Sequence, residues 1–171
     1  DTFDRPMGGT ELMFEELQNR LTPEQKEKFS IFNYIQDADF DKFTIFWNQL
    51  SYDQESVSFL SDPEMVEKIG HFVFVSHWQA EKFRQLYGIP GYKTSVIKNA
   101  SLPIVRRETG SRDVVKLSYT STPWRGLDVL LSAWEILKPE NAELHVFSSC
   151  HIYGPEFGKN DDNFQHLYEK C

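Results

Sequence analysis

Residues Val114 to Ser149 read VVKLSYTSTPWRGLDVLLSAWEILKPENAELHVFSS, and this stretch decides the fold. Val114–Tyr119 alternates as a strand does and ends in the small hydroxyl residues Thr120, Ser121 and Thr122. Pro123-Trp124-Arg125-Gly126 then turns the chain, because proline fixes φ and glycine frees it. From Leu127 the apolar spacing becomes helical, with Leu127, Leu130, Leu131, Trp134 and Leu137 on one face. Pro139 stops the helix, and Glu143–Ser148 reads as a second strand. A strand–helix–strand unit gathers its ligands at the carboxyl ends of its strands. Arg125 lies at that end, beside a helix N-terminus, where an anion is favoured. Spacing alone leaves a surface arginine near a helix cap equally open.

Upstream, Met7-Gly8-Gly9-Thr10 opens a helical run with Met13, Phe14, Leu17 and Leu21 on one face. A Gly-Gly turn before a helix lets a ligand come close to the backbone and presents free N–H groups to an anion. Thr22-Pro23-Glu24-Gln25 forms a capping-box pattern that predicts a short helix to Phe29. Ser30–Ile35 and Phe43–Trp47 are strand-like. Between them Asp37, Asp39 and Asp41 invite a calcium reading, but the glycine and distal glutamate of an EF-hand loop are missing, so a solvated turn is expected. The polar and aromatic stretch Trp47–Gln54 leaves a strand end, a place where site residues gather.

Asp62-Pro63 caps another short helix. Phe72–Val75 reads as a strand buried on both faces. Ser76-His77-Trp78-Gln79 is a second capping box, and the helix it opens stops at Gly88. His77 stands in the first turn, where it faces either a ligand or solvent. Ser95–Ala100 predicts one more strand, and the polar run Ser101–Asp113 reads as an interdomain linker. After Tyr153-Gly154-Pro155, a polar helix is expected over Asp161 to Lys170. The whole is therefore α/β: residues 1–100 form one unit, 101–113 the linker and 114–171 another.

Composition narrows the function. Forty per cent hydrophobic and fifteen per cent aromatic residues are enough for a core. A net charge of −8 argues against a nucleic-acid partner, though it leaves room for a local basic cleft. No run approaches the roughly 20 apolar residues of a membrane span. Cys150 and Cys171 lack metal-ligand spacing and suit a reducing cytoplasm. His71, His77, His145, His151 and His166 show no zinc spacing, and no nucleophile-elbow pattern is present.

Three stretches together resemble the family-four glycosyltransferases of the two-Rossmann-domain (GT-B) architecture. Met7-Gly8-Gly9-Thr10-Glu11 looks like their first glycine loop. Phe72–Gln79, Tyr87–Pro90 and Val96–Ala100 look like the end of their N-terminal domain, and Ser118–Ala133 like the opening of their nucleotide-binding domain. The resemblance implies retaining transfer of a sugar from a nucleotide-diphosphate sugar, with no cofactor and no obligatory metal. It implies Gly8, Gly9, Thr120, Ser121 and Arg125 at the donor, with Arg125 in the place of a lysine common in the family. The second basic position of the family falls in Ser118–Thr122, which offers only hydroxyls. Gln49 stands where many relatives carry a histidine; with Ser76 and His77 it is a candidate contact to the acceptor or the sugar. The acceptor would be a sugar, a lipid-linked group or a protein, reached from the cytoplasm, with peripheral membrane contact allowed. The family's paired glutamates would lie beyond Cys171 and its first strand before Gly8, which implies an internal fragment with little activity of its own. The alternative is a non-catalytic nucleotide- or sugar-binding α/β module.

Overall fold

A computed structural model describes residues 8–100 and 113–171. The chain divides into two compact units, Leu12–Leu102 and Pro103–Cys171, the second taking in Asp1–Glu11 as well. The expected linker lies almost wholly outside the described residues. Both units are α/β with parallel sheets of Rossmann-like kind.

In the first unit, four strands pair in parallel in their chain order: β1 (Phe29–Phe32), β2 (Phe43–Asn48), β3 (His71–Phe74) and β4 (Thr94–Val96). The first helix, α1 (Gly9–Arg20), is followed by α2 (Pro23–Lys28). The Thr22 hydroxyl accepts from the Gln25 amide while the Gln25 side chain accepts from the Thr22 N–H, so the expected box is complete. Before β3 lies α3 (Pro63–Lys68), capped by Asp62, and after it α4 (His77–Tyr87), which ends on Gly88 at φ 66°. That left-handed stop needs glycine, since a Cβ is disfavoured there.

Burial alternates along β1, β2 and β3. Phe32, Phe46, Phe72 and Phe74 point to a face packed by Val57, Leu60, Val66, Ile69, Ala80 and Phe83. Ile31, Ile45 and Val73 on the other face are only half-buried. β3 is thus not buried on both faces as its unbroken apolar run suggested. α1 and α2 bury no residue fully.

The second unit carries β5 (Val115–Tyr119) and β6 (Ala142–Val146), paired in parallel through α5 (Leu127–Leu137). Its core is small, with Leu127 and Leu131 of α5 meeting Leu167, while Leu137 is 73% exposed despite its place on the apolar stripe. α5 ends there, with Lys138 in the left-handed region. The last turn has nothing to bury against among the described residues. The tail is not one helix. A 3-10 turn over Cys150–Tyr153, α6 (Pro155–Gly158), a 3-10 stretch over Lys159–Phe164 and α7 (Gln165–Tyr168) replace it.

Candidate functional site

The loop after β5 is built to hold Arg125 beside a helix start. The Tyr119 hydroxyl donates to the Thr122 carbonyl at 2.7 Å, and burial raises its pKa, so the phenol keeps its proton for that bond. Thr122 and Pro123 are buried, and the Arg125 N–H closes a turn onto the Thr122 carbonyl at 3.1 Å. Gly126 follows at φ 92°, a value that favours glycine, and caps α5 without a side-chain hydrogen bond. Asp128 in the first turn of α5 already answers part of the helix dipole.

β5 and β6 run in register from Val115–Ala142 to Tyr119–Val146, so their carboxyl ends come out side by side. A cavity of about 520 Å³ opens there, within the range of small-ligand sites. Thr120, Ser121, Thr122 and Arg125 line it from the β5 side, and Phe147, Ser148 and Ser149 from the β6 side. His151, Ile152 and Tyr153 close a further wall, and Gly8 and Gly9 line it as well. A Cβ on Gly8 would stand 3.4 Å from the Tyr153 ring and 2.6 Å from the Glu11 carboxylate. Gly8, Gly9, Thr120, Ser121 and Arg125, which the sequence placed at the donor, therefore share one cavity. Among the described residues no carboxylate lines it, in a chain of net charge −8. The Thr122 and Ser148 hydroxyls are buried with no hydrogen-bond partner among the described residues.

The wall after β6 hangs on Asp161. Its carboxylate accepts from the Ser149 hydroxyl at 2.6 Å, the Cys150 N–H at 2.7 Å and the Tyr168 hydroxyl at 2.7 Å. Burial pushes its pKa up, but these three bonds outweigh burial and hold it at about 2. Buried Cys150 is pushed up to about 12 by desolvation and by the same carboxylate, so its thiol stays protonated and inert. Sequence reasoning missed His151, Ser149 and Asp161. Asp161 finds its partners at separations of 12, 11 and 7 residues, across a segment of short turns that no single helix or strand spans, so a periodicity reading does not bring them together.

The candidates of the first unit sit at the carboxyl edge of its sheet, where the polar groups of Gln49 and Ser76 already have partners. Gln49 and Asn99 exchange amide hydrogen bonds at 3.1 and 2.8 Å. The Ser76 hydroxyl caps α4 by accepting from the Gln79 N–H at 3.1 Å. Instead of closing the box, the Gln79 side chain accepts from the Val75 N–H and donates to the Leu50 carbonyl, pinning two strand ends together. Asn48 brackets Leu50 from the other side. His77 is exposed. Sequence reasoning also missed Asn33, just after β1, whose buried Oδ1 has no hydrogen-bond partner among the described residues.

Asp39 pairs with Lys42 at 3.1 Å and accepts from the Asp41 N–H, which makes Asp37–Asp41 a turn. The Lys42 and Asp41 bonds hold the Asp39 carboxyl below the ordinary range. No metal-binding cluster and no helix long and apolar enough to cross a membrane occur among the described residues. Compared with known protein families and with curated proteins, the chain matches none.

Proposed function

We propose that the protein binds a nucleotide-diphosphate sugar in the cavity at the carboxyl ends of β5 and β6. We infer that it serves retaining, metal-independent sugar transfer in a GT-B architecture. One observation carries the reading: among the described residues, the wall of this cavity holds Arg125, hydroxyl groups and the Gly8-Gly9 backbone but no carboxylate, in a strongly acidic chain. A diphosphate needs cationic and hydrogen-bonding groups fixed around it, and without a metal the protein must supply them all. The planar guanidinium of Arg125 takes two phosphate oxygens at once. Thr120 and Ser121 add neutral donors beside it, and Gly8 and Gly9 let a ligand reach the backbone. On the acceptor side, Gln49 and Ser76 reach a hydroxyl only by giving up an internal bond, which leaves His77 the freest of the three.

The reading is tested by titration calorimetry with UDP-glucose, ADP-glucose and GDP-mannose. Arg125→Ala should weaken the best of them by about 1.5–3 kcal/mol, the loss of a charged hydrogen bond. Unchanged affinity removes Arg125 from the site. A second reading, a binding module without catalysis, is favoured by the cavity wall, which among the described residues offers no carboxylate to serve as acid or nucleophile. Mass spectrometry of bound donor separates the two: release or transfer of the sugar speaks for the enzyme, and an intact donor for the module.

A further inference from the structure

Among the described residues, the diphosphate reading leaves Arg125 as the one residue on the cavity wall whose side chain is always charged. The other titratable cation there is His151, on the loop after β6. Its setting is specific. The imidazole lies face-on against Gly158, where even a Cβ would stand 2.3 Å from Nδ1, so only glycine leaves room for the ring. Nε2 is turned towards Asp161 Oδ2 at 3.8 Å, and the His151 N–H donates to the Ser149 hydroxyl that Asp161 also holds. Nδ1 has no hydrogen-bond partner among the described residues, and the ring is half-open to solvent. With Nε2 turned to the carboxylate, Nδ1 is the ring nitrogen left to donate outward.

We propose that His151 is a second phosphate-contacting residue of the cavity, a proton-dependent cation whose Nδ1–H donates to the ligand's diphosphate. The proposal rests on the diphosphate reading of the site. It makes donor affinity depend on pH, because histidine is the side chain that changes charge between about pH 5 and 8. The charged groups around the ring are few. Asp161 stands behind it, with the Tyr168 hydroxyl on that carboxylate. Cys150 adjoins it in the chain, and Arg125 and Tyr153 share its cavity wall. Glu156 and Lys159 flank Gly158 but are paired with each other at 2.6 Å, and the Glu11 carboxylate lies beside Gly8. A diphosphate in the cavity gains from each cation on the wall, and protonated His151 adds to Arg125 there.

The test is the affinity of the chain for UDP-glucose, ADP-glucose and GDP-mannose at about pH 6 and about pH 8, for the native protein and His151→Gln. In these probes both phosphates are esterified, so the ligand charge is constant across the range and any slope belongs to the protein. The native chain should bind the best probe about tenfold more tightly at the lower pH, the worth of one charged hydrogen bond. His151→Gln should bind equally at both pH values, at the native affinity of the higher one. His151 is half-exposed, so the variant should fold, and Gly158→Ala, which displaces the ring, should flatten the profile in the same way. A native profile without slope, or a slope that survives in His151→Gln, overturns the role of His151 and leaves the donor site standing. If no probe binds at either pH, the diphosphate reading fails and the proposal with it.

Discussion

Replacing Phe46 with alanine is expected to destabilise the first unit by about 3–5 kcal/mol, the range for truncating a buried aromatic ring. Phe46 is fully buried in the middle of β2, between β1 and β3. Its ring meets Phe32 at 5.3 Å, Phe59 at 5.5 Å and Phe72 at 6.3 Å, the last two edge to face. Each such pair adds about 0.5–1.5 kcal/mol beyond the area it buries. No neighbour can fill the gap without leaving its own rotamer, because the surrounding rings hold one another in place. The effect should reach the carboxyl edge, since β2 leads directly into Asn48 and Gln49. Tryptophan fluorescence would blur the result: Trp47 and Trp78 report on the first unit, Trp124 and Trp134 on the second. Hydrogen exchange resolved to the β2 amides is the suitable measurement. Exchange there should accelerate, while the amides of β5 keep their protection.

The second large effect is expected at Asp161. Replacing it with asparagine removes the charge that three donors share and turns an amide N–H₂ towards at least one of them. We expect a loss of about 3 kcal/mol in the second unit, typical of disrupting a part-buried network of charged hydrogen bonds. The same carboxylate predicts acid sensitivity. Its folded pKa of about 2 lies below the ordinary 3.8, so its contribution is fully present above the unfolded value and is lost as pH falls towards the folded one. That loss amounts to about 2 kcal/mol between roughly pH 5 and pH 2. Asp161→Asn should start less stable and decline less steeply over that window. Denaturant melts followed at the α5 amides at several pH values check both statements. Equal slopes for native and variant protein would remove Asp161 as the source.

Local chemistry was legible in the sequence wherever neighbours in the chain decide it. Thr22 and Gln25 announced their reciprocal cap, Gly88 its left-handed stop, and Leu127 and Leu131 the buried stripe of α5. What escaped was decided at a distance. The stretch from Asp161 to Lys170 has a helical pattern, yet Asp161 is drawn into bonds with Ser149, Cys150 and Tyr168, and the chain breaks into short turns to deliver it. At Gln79 the capping pattern was correct for the backbone of α4. The side chain went instead to Val75 and Leu50, which lie at the ends of two different strands. The site shows the same split. Arg125 could be placed from the turn that carries it. His151 could not, because only the fold sets it over Gly158 and beside Asp161.

The central claim is that the cavity at the ends of β5 and β6 receives a nucleotide-diphosphate sugar. The most direct test is a two-dimensional amide NMR map of the chain, recorded while UDP-glucose, ADP-glucose and GDP-mannose are added in turn. For at least one donor, the shifts should concentrate on Thr120–Gly126, Ser148–Tyr153 and Gly8-Gly9, with the amides of β1 through β4 unmoved. Shifts that leave those segments untouched and gather elsewhere, or no shift with any donor at high concentration, would contradict it.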